Sequence, residues 1–211
     1  MKIALFDFDG TLADSMPAWG QKVSRLLSLQ GIPVPKDFLN IATPLGDGGT
    51  VQYILSHYPE NRLTVAEMQA EMDAYALPKY RDEIPAKAGV AAYLAKLHEE
   101  GVGIYLLTAS PRKMFLPCLT RLGLAPYFTE AWCTEDFGLV KSDPTIYRAV
   151  AERIGVSTDD ITFFDDNRTA LETAKRAGCH VIGVYDDTSS HDEAAIRAIS
   201  DGYIHSFCEL L

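Results

Sequence analysis

Two aspartates two residues apart, Asp7 and Asp9, stand at the end of an apolar run and just ahead of Gly10-Thr11. On an extended backbone residues i and i+2 face the same way, so both carboxylates project to one side. An Asp-Gly pair alone is an ordinary turn signal. Here, however, Asp7 directly follows Ile3-Ala4-Leu5-Phe6, the end of a short buried strand spanning 1–6, and open α/β sheets bind ligands outside the carboxyl ends of their strands. A hard divalent cation removes the repulsion within such a pair, and Mg²⁺ takes one or two carboxylates plus waters and phosphate oxygens. So placed, Asp7 has the chemistry of a nucleophile, because aspartate forms phosphorylated intermediates.

Three further stretches carry polar groups to the ends of apolar runs. Leu106-Leu107-Thr108-Ala109-Ser110-Pro111 brings a hydroxyl and fresh backbone amides to the start of a helix, a natural phosphate site. The plainer reading is that Ser110 caps that helix while Thr108 finishes a strand, and Arg112 stands next in line. Lys141 precedes another helix, either as a solvated charge or as a counterion for buried acids and phosphoryl oxygens. Phe163-Phe164-Asp165-Asp166-Asn167 ends an apolar strand in adjacent carboxylates, which buried strands rarely do unless something binds them.

The string DFDGTLADS, residues 7–15, resembles the first motif of the haloacid dehalogenase superfamily, and the chain is similar to its phosphoglycolate phosphatase and β-phosphoglucomutase-like group through the core from end to end, the insert matching by position rather than by motif. Most members are phosphatases. The resemblance implies Asp7 as nucleophile, Asp9 as general acid and base, and Thr11 as a support for the loop. It also implies Thr108 with the Ala109 amide as phosphoryl-binding groups and Lys141 as the neutralising cation. Mg²⁺ would sit on Asp7, the Asp9 backbone carbonyl and Asp166, with Asp165 as a second, adjusting acid. Two departures stand out. Lys141 is followed by Ser-Asp-Pro-Thr-Ile-Tyr rather than the family's plain pattern, and Ala170 stands where many members have a further Asp.

The elements that must position these residues follow from periodicity. Trp19, Val23, Leu26, Leu27 and Leu29 recur at helical spacing between Ser15 and Gly31, with Ser15 or Asp14 as N-cap. The stretch 40–50 reads as loop or broken helix, a second helix follows, and Thr64 with Glu67 forms a capping box for a third that runs to about Tyr80. From Gly89 onward helices and apolar strands alternate, with strands at 102–107, 131–133, 161–164 and 180–184 and a last helix at 193–199. That pattern is an α/β doubly wound, Rossmann-like parallel sheet. The link between the first two strands is about ninety residues, whereas a plain crossover needs a dozen or so. A helical domain is therefore inserted at 15–83, between core segments 1–14 and 84–211, at the point where the resembled family carries a cap. The Gly-rich stretch 43–50, with Thr43 and Gly46, is the candidate for reaching substrate, together with Trp19, Lys22, Arg25, Lys79 and Arg81. His57 and His98 read as surface or packing residues.

A 211-residue chain that is 47% hydrophobic and 23% charged is an ordinary globular one. Its net charge of −10 argues against nucleic acid, which is bound through clustered Lys and Arg, and against anionic membranes. Four scattered cysteines without paired spacing suit a reducing compartment. With the acids reached by position 7 and no run long enough to span a bilayer, the expected location is the cytoplasm.

The expected function is a Mg²⁺-dependent phosphatase of a small phosphorylated metabolite, working through an aspartyl-phosphate. The chain leaves the oligomeric state open, a monomer included. The alternatives are a sugar phosphomutase on the same scaffold and, more distantly, a phospho-acceptor signalling domain. A dehalogenase would have no need of Asp9, and a receiver domain would lack the insert.

Overall fold

The computed structural model describes residues 1–211, apart from the side chains of Asn40, Thr43 and Pro44. The chain divides into two compact units, one made of 1–14 with 85–211 and the other of 15–84.

The first unit is built on six parallel strands, β1 (Ile3–Phe6), β2 (Gly103–Thr108), β3 (Glu130–Cys133), β4 (Ile161–Asp165), β5 (His180–Val184) and β6 (Gly202–Ile204). Their order across the sheet is β3-β2-β1-β4-β5-β6. Five helices connect them: α4 (Val90–Glu99), α5 (Arg112–Arg121), α6 (Thr145–Ile154), α7 (Arg168–Ala177) and α8 (Glu193–Ile199); α1 to α3 belong to the other unit. The chain winds outward from β1 in one direction and then from β4 in the other. The β1–β4 seam is therefore the switch point at which such sheets bind ligands.

Period-two alternation buries both faces of the central strands, as expected of a parallel sheet. Leu5 and Phe163 face one layer, where they pack with Ile146, Tyr147 and Val150 of α6 and Leu171 of α7. Phe6 and Phe164 face the other. Their rings stack at 4.6 Å between centroids and meet Tyr93 of α4 and Phe207 edge-on or tilted. The register is what matters for the site. Phe6 pairs with Leu106 on one side and Phe164 on the other, so the residues that follow leave the sheet side by side.

The second unit is helical: α1 (Met16–Ser28), α2 (Phe38–His57) and α3 (Val65–Asp82). Trp19, Val23, Leu26 and Leu27 form the buried stripe of α1, against Phe38, Val51 and Ile54 of α2 and Met68 and Met72 of α3. The capping box of Thr64 and Glu67 is present at the start of α3. The 40–50 stretch is a broken helix, with α2 interrupted at Gly46, where φ is 64° and ψ −171°. Thr50 Oγ spans the break by donating to Gly46 O at 2.6 Å. Strand β6 falls on Gly202-Tyr203-Ile204, three residues that carry no alternation to read in the sequence.

Candidate active site

Asp7 is the first residue beyond β1, and its amide donates to Phe164 O at 2.9 Å, continuing the ladder to β4. That bond sets the Asp7 carboxylate beside the end of β4, where Asp165 and Asp166 emerge. One oxygen from each of Asp7, Asp165 and Asp166 lies within 4.8 Å of the others, and all three residues are buried. Lys141 reaches into this cluster, its ammonium bonding Asp7 Oδ1 and, at 2.9 Å, Asp165 Oδ2. The lysine is held from behind by Tyr147, whose hydroxyl donates to its carbonyl at 3.1 Å. Asp166 accepts from the Thr11 hydroxyl at 3.1 Å.

The electrostatics follow from burial. Loss of water pushes the Asp7 carboxyl up to about 7, against the pull of Lys141 and with a further push from Asp165 and Asp9. Burial, reinforced by Asp165 and Asp7, likewise holds Asp166 well above the ordinary carboxylate range. Burial alone would lower Lys141, but the Asp165 and Asp7 carboxylates outweigh it and keep the ammonium charged. Lys141 bonds two of the three clustered carboxylates, Asp7 and Asp165. Three hard oxygen donors so placed fit a divalent cation such as Mg²⁺. Gly10 completes the fit: its φ is +77°, and a Cβ there would lie 2.7 Å from Asp166 Oδ2, so only glycine lets the turn lie against that carboxylate.

Asp9 is not one of the three clustered carboxylates. Its Oδ2 accepts from the Ser110 hydroxyl at 2.5 Å. This corrects the reading of Ser110 as the cap of α5: Pro111 takes the N-cap position, with no side-chain cap bond, and Ser110 orients Asp9 instead. Thr108 is fully buried and accepts the Ser110 amide on Oγ at 3.0 Å, which ties the Thr108-Ala109-Ser110 turn together at the end of β2. Arg112 is not part of this group. It pairs with Asp136 at 2.7 Å and lies over the Phe115 ring.

Of the residues singled out in the helical unit, Thr43 lies outside the described side chains. Trp19 is core, and its indole N–H donates to Asp47 at 3.0 Å. Lys22, almost completely buried, bonds both oxygens of the same carboxylate at 2.7 Å. Arg25 lies over the Tyr75 ring, while Lys79 and Arg81 pair with the adjacent acids Glu83 and Asp82. His57 stacks on Tyr53, and His98 meets Tyr127 edge-on, both as packing groups. Among the described residues no helix is long and apolar enough to cross a membrane. The sequence reading missed Lys87 and its partner Asp186, which meet at 2.9 Å beside the Gly10 turn. They lie far apart in the chain and belong to no motif.

Comparison with known proteins identifies the family. The family model of haloacid dehalogenase-like hydrolases matches residues 1–178. Phosphoglycolate phosphatase of Yersinia pseudotuberculosis is 29% identical over 210 residues, covering 98% of this chain and 90% of that protein. Among solved structures, CbbY from Rhodobacter sphaeroides in complex with phosphate superposes with a TM-score of 0.84 at 21% identity, covering 100% of this chain and 96% of that one. β-Phosphoglucomutase from Clostridium difficile does so with a TM-score of 0.82 at 18% identity, covering 100% and 93%. At these identities the two structures show the shared fold. With the family model spanning most of its length, the chain belongs to the haloacid dehalogenase-like hydrolases and is an enzyme of that family.

Proposed function

We propose that the protein is a Mg²⁺-dependent phosphatase that hydrolyses a small phosphorylated metabolite through an aspartyl-phosphate on Asp7. The observation that carries this reading is the buried Asp7 carboxylate at the switch point of the sheet, paired with Lys141 and clustered with Asp165 and Asp166. Asp7, Asp165 and Asp166 are the side chains that would hold the cation, with the Asp9 backbone carbonyl. When bound, Mg²⁺ supplies positive charge to the carboxylates and to the phosphoryl oxygens.

The residues divide the work as follows. An oxygen of Asp7 attacks phosphorus, and the ester P–O bond breaks on the opposite side. Asp9, held by Ser110, gives its proton to the leaving alcohol oxygen. Water then attacks the phosphorus of the acyl phosphate, Asp9 takes the water's proton, and the Asp7 carboxylate is released with inorganic phosphate. Lys141, the Thr108 hydroxyl and the Ala109 amide stabilise charge on the equatorial oxygens. The helical unit 15–84, in the role of a cap, would select the ester and exclude bulk water.

Phosphoglycolate is the first ester to try, because the phosphoglycolate phosphatase noted above matches nearly the whole chain. The test is phosphate release from a panel of phosphorylated metabolites with Mg²⁺. The expected result is release that stops with chelator and falls at least about a thousandfold in Asp7→Asn, the loss typical of a missing nucleophile. No release from any ester would overturn the reading, and isomerised sugar phosphate in the same tubes would establish a phosphomutase instead.

A further inference from the structure

Lys87 takes no part in the chemistry above, yet its half-buried side chain lies beside it. The group makes three contacts: the Gly10 carbonyl, the Tyr185 carbonyl at 2.6 Å and Asp186 Oδ2 at 2.9 Å. The two carbonyls take hydrogen bonds from the ammonium, and Asp186 is its ion-pair partner. The partners come from separate parts of the core unit. Gly10 belongs to the turn between Asp9 and Thr11, and Tyr185 and Asp186 directly follow β5. The Lys87 backbone adds a fourth tie, its amide donating to Leu12 O at 2.9 Å. Asp186 is itself fixed, its other oxygen accepting the Thr188 amide at 3.0 Å and hydroxyl at 2.6 Å.

The Gly10 turn thus meets two groups. One is the Asp166 carboxylate, close enough that a Cβ on Gly10 would collide with it. The other is the Lys87 ammonium, which donates to the Gly10 carbonyl and whose charge also acts on Asp166. We propose that Lys87 is a positioning residue for the cation site: clamped to Asp186 and the end of β5, it holds the Asp9-Gly10-Thr11 turn against Asp166. In that place Thr11 orients the Asp166 carboxylate, and the Asp9 carbonyl would be available to hold the cation. The inference rests on the Mg²⁺ reading of the carboxylate cluster. Groups that orient metal ligands from behind matter about 10- to 100-fold in metal affinity.

The test is Mg²⁺ binding to the full-length protein by calorimetry, which needs no turnover, alongside kcat and KM. The variants are Lys87→Met and the double variant Lys87→Met/Asp186→Asn. The double variant removes the buried carboxylate that the single one leaves without its counterion, and so also serves if the single variant fails to fold. Both are expected to weaken Mg²⁺ binding about tenfold or more and to lower kcat at fixed Mg²⁺, with KM for the ester unchanged. Wild-type affinity in both would overturn the proposal. So would recovery in the double variant alone, which would mean that Lys87 merely balances Asp186. A wild-type protein that binds no Mg²⁺ would instead overturn the metal reading, and this proposal with it.

Discussion

At the scale of single residues, burial sets the charge state of the clustered acids. Asp7 is the clearest case. Burial raises its carboxyl to about 7, so the folded, metal-free chain holds that proton more tightly than the unfolded chain does. Stability linked to it is complete below about pH 4 and is lost as pH rises through about 7, a loss on the order of a few kcal/mol. Thermal melts in chelator are expected to show this decline in the wild type and a shallower one in Asp7→Asn, with Mg²⁺ restoring the wild type at neutral pH. A decline of equal slope in both proteins would contradict this account. Asp9 makes a different prediction because the work proposed for it is proton transfer to the leaving group. Asp9→Asn is expected to slow alkyl phosphate hydrolysis about 10²- to 10⁴-fold, while aryl phosphates with acidic leaving groups lose less in the first step, as burst kinetics would show. The meeting of Asp7 with Asp165 and Asp166 was legible because the single acid and the acid pair each end an apolar run, a contradiction that burial alone does not explain. The Ser110–Asp9 bond was not, since nothing in a Thr-Ala-Ser-Pro string says which hydroxyl turns back toward a residue about a hundred positions earlier.

At the scale of elements, strands and caps were legible where local chemistry decides and obscure where tertiary contacts do. The Thr64 capping box needs only Glu67 three residues on, and it forms as the spacing requires. Strand β6 draws its stability from pairing with β5 rather than from its own Gly-Tyr-Ile sequence. The break in α2 lies between these cases. The sequence signalled an interruption somewhere in 40–50, but only the backbone assigns it to Gly46, whose φ of 64° and ψ of −171° belong to a region open essentially to glycine. Asp47 follows at once and is gripped by Lys22 and Trp19 of α1. Gly46→Ala is therefore expected to cost about 1–3 kcal/mol, read as a lower midpoint in urea. Lys22→Met, which leaves Asp47 without its buried partner, is expected to cost about 3–5 kcal/mol, with Lys22→Met/Asp47→Asn recovering part of the loss.

At the scale of the whole molecule, the helical unit is an excursion from a continuous core. Its entry and exit are neighbours: the Asp14 amide donates to Pro85 O at 3.0 Å, and Ala13 bridges Ala86. A short Gly/Ser link from residue 14 to 85 should therefore leave the six-stranded sheet intact. That core variant is expected to keep Mg²⁺ binding while losing most of its discrimination among esters, which calorimetry and the ester panel would show. The strand register has a consequence of another kind. Asp7 and Asp165 meet because β1 and β4 are aligned rung for rung, not because of any distance along the chain. Heredity can thus lengthen or shorten the connections freely, but it cannot add or delete a single codon within those strands. One alanine inserted in the 155–158 turn should be nearly silent, whereas one inserted after Phe163 would carry Asp165 to the opposite face of the sheet and erase the enzyme in one step.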